Sequence, residues 1–505
     1  MIDQIVTLLR PPIISSCSSF SVPVTPPLAL AYLTATLERA GYSVDPIDAL
    51  GEKITHIEKL ARGRKAQGLL LAEMIRRINP RTDILGVSIM FTQEWPVIRD
   101  LMAEIKKAHP HITIIAGGEH ITALPEFSME DCAALGYCAL GEGEETLRDF
   151  VGAVRSGQDP RQVPGLCYRN GEGFEKSPKR KRIANLAEIP WPAWDKLPIE
   201  AYLASGYGNG VNNGRNMPML ATRGCPYQCT FCSNPVMYER KYVMRAVDDV
   251  IAEMMHYIKH RRAEFIEFYD LTAIVQKKWI VEFCDKYLEN GLTVGWSLPS
   301  GTRSEALDGE VLALLHRTNC RYLVYAPESG SPITLKQIKK EVRLDRLLAS
   351  VRTAVRLGIN TRCNLIIGFP KETTREVFKT LVFQVKLAWL GVDDAPIYMF
   401  SPYPGSTLFD DLKGTGQIPA LNDDYFDGLL AQMDLGVDKT YCKNINGSTL
   451  RRYRLVGMSV FYGLSYLFRP FRIIRSINNI FFRKKTSSVF EQRVLEMFKR
   501  RKEIA

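Results

Sequence analysis

Three cysteines on one short segment are the residues of this sequence best suited to chemistry. Cys225, Cys229 and Cys232 lie within eight residues, in the segment 223–232 that reads RGCPYQCTFC. Three thiolates on such a loop can hold three irons of a [4Fe–4S] cluster and leave the fourth iron open, whereas ferredoxins supply four cysteines. Zinc sites need four protein ligands in paired spacings, and no second pair follows. The triplet therefore predicts a cluster with one free iron.

The strands and helices around this loop are predicted to form a barrel with the loop at its mouth. Short apolar stretches read as strands, with helices such as Val247–Lys259 and Leu344–Leu357 between them. The predicted strands are Met219–Thr222, Phe265–Tyr269, Val294–Leu298, Tyr322–Ala326, Asn360–Ile366 and Pro396–Phe400. Six βα units within about 200 residues predict an α/β fold with a partial TIM (β/α)6 barrel. Chemistry in such barrels lies at the C-terminal strand ends, and the triplet follows the first strand.

The first 150 residues also alternate strands and helices. The predicted strands are Ile5–Leu9, Ser43–Ile47, Ile84–Ile89, Thr113–Ala116 and Tyr137–Leu140, and the predicted helices are Leu28–Ala40, Trp95–Ala108 and Glu144–Arg155. This alternation predicts a doubly wound, Rossmann-like parallel sheet. Its ligand edge would carry Ser88, Gly117–Gly118 and Gly141–Glu144. Glycine there lets the backbone approach a ligand closely, although tight turns also use glycine for geometry alone.

Length, composition and cysteine usage limit the class of protein. The chain has 505 residues, which is too many for one ordinary core, and its 46% hydrophobic and 24% charged residues are typical of a soluble globular protein. Its eleven cysteines are odd in number, and the N-terminus has no secretory signal. We therefore expect a reducing, cytoplasmic location.

These patterns divide the chain into four regions. We predict a cofactor-binding domain over 1–150 and a linker over 151–215 with a hairpin around Gly165–Tyr168. The barrel is predicted over 216–420 and a helical, basic extension over 421–505. The linker is expected to strap the two larger domains together.

The C-terminal extension is both apolar and basic. Tyr453–Phe468 is rich in aliphatic and aromatic residues but is too short to cross a bilayer, and the basic amphipathic stretch Arg469–Arg475 follows it. Much of the formal charge of +11 lies in this region, so the rest of the chain is closer to neutral. The pattern is typical of packed helices with a solvated basic face, and it also suits peripheral contact with an anionic membrane. Nucleic acid is not an expected partner.

The cysteine segment and several later segments resemble the radical S-adenosylmethionine (SAM) superfamily. The later segments are Trp296–Ser297 with Arg303, Tyr325–Gly330, Ile366–Pro370 and Tyr403–Thr407. The resemblance implies that SAM chelates the open iron and that an electron from the cluster breaks a C–S bond, giving a 5′-deoxyadenosyl radical. It assigns the cluster to the cysteine triplet and SAM contacts to Phe231, Asp270, Ser297, Arg303, Glu328 and Ile367. The family often has glycine where Ala326 or Pro327 stands.

The N-terminal region resembles the cobalamin-binding domain that precedes many radical SAM barrels. The similarity lies in Pro26–Leu33, Gly41–Tyr42, Asp48, Gly117–His120 and Gly141–Glu144. It implies a corrin bordered by Ser88, Gly117, Gly118, Glu119, His120, Gly141, Glu142, Gly143 and Glu144. Other cobalamin proteins hold cobalt through a histidine in an Asp-x-His-x-x-Gly motif, but here residues 48–53 read DALGEK. The lower cobalt face would then lack that histidine, and a nucleotide-binding or purely structural flavodoxin-like domain stays open.

Several single residues allow a structural interpretation beside the functional one. Asp270 is as well suited to cap a helix as to contact SAM, and Arg303 to form a structural ion pair as to clamp a carboxylate. His120 fits a capped loop as well as a cofactor contact. Cys132 and Cys138 could form a redox pair but are more typical of buried small residues. Glu328, at a strand end among small residues, is the better candidate for a ribose hydroxyl or an amine.

Together these features predict a cobalamin-dependent radical SAM enzyme that methylates an unactivated carbon of a small-molecule or lipophilic substrate. The resemblance implies that cobalamin carries a methyl group from one SAM, and that a second SAM supplies the radical that activates the substrate. A reducing electron donor is a further expected partner, and no catalytic side chain is assigned.

Other functions remain compatible with the same residues. An oxidative cyclase or rearrangement enzyme would use the same cofactors. A methylthiotransferase needs a second cluster, for which Cys17, Cys132 and Cys138 are a poor set. A non-catalytic iron–sulfur electron carrier or sensor would keep the cluster without cleaving SAM.

Overall fold

The computed structural model of the chain describes residues 5–504, apart from residues 20, 21, 206, 208, 209, 212, 273, 433, 484 and 485. The described residues form two large sheets that follow one another along the chain, with seven and six strands. Two smaller sheets of three and two strands accompany them. The α/β class predicted from the sequence is therefore confirmed.

The first large sheet is the doubly wound sheet predicted for the N-terminal region. The strands of this half are β1 (Ile5–Arg10), β2 (Ile13–Ser16), β3 (Val44–Asp48), β4 (Ile57–Lys59), β5 (Arg64–Gln67), β6 (Thr82–Ser88), β7 (Thr113–Gly117), β8 (Tyr137–Ala139), β9 (Leu166–Asn170) and β10 (Gly173–Lys176). The sheet order is β10-β9-β8-β7-β6-β1-β3, and the pairs from β3 to β8 are parallel. Strands β2, β5 and β4 form the separate small sheet.

Helices cover both faces of this sheet because its strands are apolar on both sides. They are α1 (Leu28–Arg39), α2 (Ala49–Glu52), α3 (Leu71–Arg77), α4 (Trp95–Ala108), α5 (Glu119–Ala123), α6 (Pro125–Asp131) and α7 (Gly143–Arg155). Helices α1 and α7 pack on one face, and α4 packs on the other. Helix α1 is followed by Gly41, one residue after its C-cap Ala40, and the φ of +84° at Gly41 is the left-handed conformation expected there.

The hairpin predicted around Gly165–Tyr168 forms from β9 and β10. It does not stand alone in a linker, because β9 pairs antiparallel with β8 and extends the first sheet. The segment that follows crosses to the barrel: the Ala193 N–H donates to the Ala31 carbonyl of α1, and Trp194 Nε1 donates to the Tyr257 hydroxyl at 3.0 Å. These contacts strap the two halves together.

The second large sheet is the partial barrel. Its elements are β11 (Asn216–Met219), β12 (Thr222–Arg223), β13 (Val243–Met244), β14 (Phe265–Phe268), β15 (Gly295–Thr302), β16 (Cys320–Glu328), β17 (Asn360–Ile367) and β18 (Ile397–Met399). Six of these strands pair in parallel in the order β11-β14-β15-β16-β17-β18. The first strand ends at Met219, earlier than predicted, because Thr222–Arg223 leave it to pair antiparallel with β13.

Helices alternate with these strands or follow them. They are α8 (Ile199–Ser205), α9 (Asn234–Tyr238), α10 (Val247–Arg261), α11 (Lys277–Glu289), α12 (Gly309–Arg317), α13 (Pro332–Gln337), α14 (Leu344–Arg356), α15 (Thr374–Leu390), α16 (Thr407–Gly414) and α17 (Asp423–Leu429). Outward-facing Phe268 and Trp296 pack edge-to-face at 5.8 Å, and both contact Phe283 of α11. Aromatic contacts of this kind add to the burial that holds strand against helix.

The C-terminal extension is helical, as predicted. It consists of α18 (Gly447–Phe468), α19 (Phe471–Asn478), a π-helical turn (Asn479–Arg483) and α20 (Val489–Ile504). The extension docks on the barrel through Asp394, which accepts from the Tyr462 hydroxyl at 3.1 Å and from the Val489 N–H at 2.6 Å. Among the described residues, no helix is long and apolar enough to cross a membrane.

A buried polar triad joins α8 to the first sheet. The Tyr202 hydroxyl donates to Asp48 Oδ2 at 2.6 Å, while Arg10 Nη1 donates to the Tyr202 oxygen at 2.9 Å and to Asp48 Oδ1 at 3.3 Å. Burial raises the pKa of Tyr202 well above its ordinary value, and the neighbouring Asp48 adds to this effect. The hydroxyl therefore remains a donor.

Replacing Tyr202 by phenylalanine should destabilise the fold. The change leaves Asp48 and Arg10 buried without one of their partners, which costs about 1–3 kcal/mol. Chemical unfolding of Tyr202→Phe, beside Tyr168→Phe whose hydroxyl makes a more exposed bond to Glu175, measures the difference. Equal midpoints for the two variants would contradict a structural role for the triad.

Candidate functional site

The cysteine loop begins immediately after β12 and is shaped by a glycine. Gly224 has a φ of +87°, and a Cβ there would overlap the Lys241 carbonyl oxygen, so only glycine fits. The loop then turns on a bond from the Cys232 N–H to the Cys229 carbonyl at 3.2 Å. All three cysteines are half-buried and free of disulfides. Three thiols free of disulfides therefore lie on one short loop after β12.

The environment of the thiols bears on how they bind iron. Burial raises the pKa of Cys229 and raises that of Cys232 to about 12. Binding iron must therefore displace thiol protons. Within the described part of the chain, no three His, Cys, Asp or Glu side chains are placed to hold a single metal ion. Thiolates of a cubane cluster each bind a different iron and need not converge on one point.

Asp270 supports the start of this loop. Both of its carboxylate oxygens accept from the Ala221 N–H at 3.1 Å, and one accepts from the Thr222 hydroxyl at 2.5 Å. Burial raises the pKa of Asp270 to about 6, and these hydrogen bonds oppose the rise. The side chain predicted to contact SAM is thus engaged in holding the backbone that leads into the cysteines.

A buried ionic network ties the cysteine loop to the first domain. Arg223, next to Gly224, pairs with Glu144 at 2.6 Å and with Glu142 at 3.4 Å, and Arg182 pairs with Glu142 at 3.1 Å. Each of the four side chains is at most 8% exposed. Glu142 and Glu144 were predicted to border a corrin, but the structure turns both toward arginine. Both glutamates lie at the predicted strand end, but their side chains contact arginines.

A second contact joins the cysteine loop to the first domain, at the loop after β7. The Ser233 hydroxyl, directly after Cys232, donates to Glu119. Behind it, the Thr122 hydroxyl of α5 accepts from the Gly141 N–H at 3.1 Å, so the glycine loops after β7 and β8 are coupled. Burial raises the pKa of Glu119, and its bond to Ser233 opposes the rise. Glu119 therefore lies at the predicted edge, facing the cysteine loop.

His120 lies behind this edge. Its ring is fully buried, stacks on Trp95 with centroids 4.7 Å apart, and lies 3.3 Å from both the Thr92 and Ser128 hydroxyls. Burial lowers its pKa to about 3, so the ring is neutral. The prediction that His120 borders the corrin is wrong for its side chain, because α5 directs it into the core.

The glycine edge itself is open and suited to a flat ligand. Ser88, Gly117 and Gly118 are half-exposed, and Gly118 has a φ of +112° at a position where a Cβ would overlap the Ile89 carbonyl oxygen. Next to Ser88, Met90 and Phe91 are 43% and 50% exposed. A cradle of glycine backbone beside exposed apolar side chains fits a corrin. Gly141 and Gly143 line the neighbouring strand end.

The position corresponding to the missing cobalt-histidine motif is occupied by the Asp48 triad. The Asp48 carboxylate accepts hydrogen bonds from Arg10 and Tyr202. Leu50 stands where the motif would place its histidine, and the nearby His120 has a buried ring. The residues present therefore fit a cobalamin whose lower face is not held by histidine.

Arg303 is the residue best placed to bind an anionic group near the cluster loop. Its guanidinium lies over the Tyr227 ring at 3.7 Å and forms an ion pair with Glu305 at 3.3 Å. The residue is 7% exposed, yet its Nη1 atom is buried with no hydrogen-bond partner in the described structure. A buried donor left without a partner is costly, so this site fits the carboxylate of SAM.

Glu328 ends β16, as predicted, and the structure adds a partner that the sequence did not indicate. Lys340 Nζ lies 3.0 Å from Glu328, and both side chains are almost fully buried. Burial lowers the pKa of Lys340, but the charges of Glu328 and Cys229 and the hydrogen bond to Glu328 together raise it above its ordinary value. Glu328 also has a φ of +64°, uncommon for a residue with a side chain. Backbone strain of this kind is concentrated at functional sites.

β15 is longer than the sequence predicts. The predicted strand ends at Leu298, whereas β15 continues to Thr302 across an irregular register. Ser297 lies five residues before the end of β15 and pairs with Glu267, one residue before the end of β14. Its hydroxyl is buried with no partner among the described residues. The SAM contact of Ser297 stays a prediction.

The aromatic part of the site is built from two loops. Phe231 of the cysteine loop packs against Phe369, with ring centroids 5.7 Å apart. Phe369 follows Gly368, whose N–H donates to Glu372 at 2.6 Å. Ile367 is fully buried in the core, whereas Ile366, on the opposite face of β17, is half-exposed. The SAM contact predicted for the Ile367 side chain is better suited to Ile366.

The other cysteines have structural positions. Cys132 and Cys138 are buried and donate to the carbonyls of Arg99 and Pro125. Burial raises the pKa of both thiols. This supports their interpretation as small core residues and leaves no second cluster site with exposed Cys17.

Comparison with known proteins identifies both domains. Residues 219–383 match the Radical SAM superfamily, and residues 21–151 match the B12 binding domain. An uncharacterized methyltransferase of Pyrococcus horikoshii is 30% identical over 80% of this chain and 82% of its own length. The chain belongs to the B12-binding radical SAM family. It is a radical SAM enzyme, and the cofactors of the family are a [4Fe–4S] cluster, SAM and cobalamin.

Two further proteins resemble this family member. The anaerobic magnesium-protoporphyrin IX monomethyl ester cyclase of Cereibacter sphaeroides is 26% identical over 77% of this chain and 60% of its own length. The solved structure of the cobalamin-dependent SAM radical enzyme OxsB, with aqua-cobalamin and SAM bound, has a TM-score of 0.68 at 17% identity. The similarity covers 89% of this chain and 66% of the OxsB chain. The likeness to OxsB shows a shared fold.

Removing Arg223 should weaken both the fold and cluster loading. Arg223→Gln leaves two buried carboxylates short of a partner, which costs about 3–5 kcal/mol. We expect less iron per chain after anaerobic reconstitution and a lower unfolding midpoint. Arg161→Gln, which breaks the exposed pair with Asp159, is the matched control.

A double variant separates charge from packing. In Arg223→Gln/Glu144→Gln one of the uncompensated charges is gone, so part of the lost stability should return. If Arg223→Gln behaves like Arg161→Gln in both iron content and midpoint, the network does not support the cluster loop.

Proposed function

We propose that this radical SAM enzyme transfers a methyl group to an unactivated carbon of a small-molecule or lipophilic substrate. The observation that carries the proposal is the contact between the cysteine loop and the glycine edge of the cobalamin domain, through Ser233–Glu119 and Arg223–Glu144. A substrate in the barrel mouth would then meet both reactive groups. The printed name of the Pyrococcus horikoshii relative, a methyltransferase, supports the same reaction.

The protein's own residues position these groups. When bound, the cluster supplies the electron that cleaves SAM, and cobalamin supplies a carrier for the methyl group. Cys225, Cys229 and Cys232 would hold the iron. Arg303, with its unpartnered Nη1, would take the SAM carboxylate, and Glu328 would take the ribose or the amine. The partly exposed edge at Ser88–Phe91 and Gly117–Gly118 would seat the corrin.

Aromatic packing around the loop excludes water from this mouth. Phe231 and Phe369 pack beside the cysteines, and Phe369 continues to Phe400 with centroids 5.2 Å apart. The loop 403–407 closes the same region: a Cβ on Gly405 would crowd Val236 of α9 and Ala123 of α5. Exclusion of water protects a carbon radical from side reactions.

Cyclisation or rearrangement without methyl transfer is the second candidate. The cyclase of Cereibacter sphaeroides supports it, since it matches 77% of this chain. Both reactions would use the same cluster, SAM site and cobalamin edge, and they differ in whether the product gains a methyl group. A reducing electron donor is needed in either case. We place the enzyme in the cytoplasm, with the basic C-terminal segment as its surface for peripheral membrane contact.

The test uses SAM with a deuterated methyl group. The reconstituted enzyme is incubated anaerobically with this SAM, cobalamin, a strong reductant and separate lipid and polar extracts. We expect 5′-deoxyadenosine and a product that carries one CD3 group by mass spectrometry. Cys229→Ala should abolish both, whereas Cys17→Ala, outside the triplet, should retain both.

The other outcomes distinguish the alternatives. A converted product without deuterium would favour cyclisation or rearrangement and contradict methyl transfer. An intact cluster that never yields 5′-deoxyadenosine would contradict the assignment of the SAM site as well.

A further inference from the structure

Exposed apolar side chains are concentrated on one part of this protein. Of the 23 exposed large hydrophobic residues in the described structure, sixteen lie on α15 or from α18 onward. Soluble proteins scatter such residues singly, so a concentration of this kind marks an interaction surface. We call the exposed side chains of α15, α18, α19 and the π-helical turn the apolar face. Its most exposed members, 64–81% accessible, are Phe378, Trp389, Leu467, Phe471, Ile474 and Phe482.

The apolar face is held on ordered helices. Trp389 of α15 packs edge-to-face on Phe468 of α18, with ring centroids 4.9 Å apart. Between α18 and α19, Arg469 donates to the Ala388 and Trp389 carbonyls at 3.1 Å. Arg472 fixes α19 by an ion pair with Asp393 at 3.0 Å. The exposed residues are therefore presented by a docked surface that spans the barrel and the extension.

The net charge of the whole chain lies in the same region. Residues 451–505 contain fourteen Lys and Arg against three Asp and Glu, which gives +11. The chain as a whole has 66 Lys and Arg against 55 Asp and Glu, also +11, so the first 450 residues are balanced. The part of the sequence from residue 451 onward therefore carries both the excess charge and twelve of the exposed apolar side chains. A surface that is both strongly cationic and apolar matches an anionic lipid headgroup layer above its acyl chains.

We propose that the apolar face seats the enzyme on an anionic phospholipid bilayer, with α19 lying in the plane of the surface. Phe471 and Ile474, one helical turn apart, would enter the acyl boundary, while the exposed Arg475 next to them would meet the headgroups. No helix of the described residues is able to span a bilayer, so the contact is peripheral. A second copy of the chain is a poorer occupant, because it would bring two +11 surfaces together.

The test is flotation of the full, cofactor-loaded enzyme with vesicles. We expect it to float with vesicles of phosphatidylcholine and phosphatidylglycerol, and to bind vesicles of phosphatidylcholine alone much less. Binding should weaken as salt is raised, because the headgroup attraction is screened. Phe471→Ser/Ile474→Ser should weaken binding by roughly tenfold or more, since two large apolar side chains lose their burial.

Matched variants keep the test specific. Met255→Ser/Leu288→Ser alters two exposed apolar residues of α10 and α11, 45% and 37% accessible, and should float like the wild type. Trp389 reports insertion directly: the emission of the wild type should shift to shorter wavelength with anionic vesicles. This shift should be lost in Trp389→Phe, which retains an aromatic ring.

Two results would overturn the proposal. One is equal flotation of the wild type and Phe471→Ser/Ile474→Ser, provided that both keep the same iron content and yield of 5′-deoxyadenosine. The other is a wild type that floats with neither vesicle but is a dimer by light scattering, while the double variant is a monomer. That result would assign the apolar face to self-association. Neither result depends on whether the enzyme transfers a methyl group.

Discussion

The arrangement of this enzyme depends on a pair of arginines and a pair of glutamates removed from water between its two domains. Burying a charge costs several kcal/mol unless it is fully partnered, and here the partners come from both sides of the junction. Arg223 stands two residues before Cys225, whereas Glu142 and Glu144 begin α7 of the first domain. The network can therefore form only when the cysteine loop and the cobalamin domain have one relative position. Conformational specificity is the function that such buried networks serve best.

Two other contacts also hold the barrel against the first domain. Glu119 receives the hydroxyl that follows the third cysteine, and Gly405 brings the barrel-closing loop against α5 and α9. Each places part of the barrel mouth against the glycine edge of the first sheet. The two domains thus meet along the edges where both folds hold their ligands. The apolar face lies on α15 and the last helices.

The sequence predicted the positions of strands and helices better than the directions of individual side chains. Strand and helix positions followed from apolar periodicity, and the cysteine loop from its spacing, because both are local patterns. The glutamates at 142 and 144 stand at the predicted edge, but their direction is set by an arginine 79 residues or more away, which no local pattern reveals. His120 likewise follows the glycine pair but turns into the core against Trp95. The strand that carries Ser297 was predicted to end at Leu298, but β15 continues to Thr302.

The central claim is that one chain holds a cluster and a cobalamin at a shared mouth. Electron paramagnetic resonance of the enzyme loaded with cobalt(II) cobalamin tests it most directly. The oxidised [4Fe–4S] cluster is diamagnetic and the reduced one is paramagnetic, so a nearby cobalt should relax faster when the cluster is reduced. We predict a bound cobalt(II) signal without histidine nitrogen splitting, whose relaxation changes with the state of the cluster. An enzyme that binds no cobalamin, or a cobalt signal identical in both cluster states, would contradict the account.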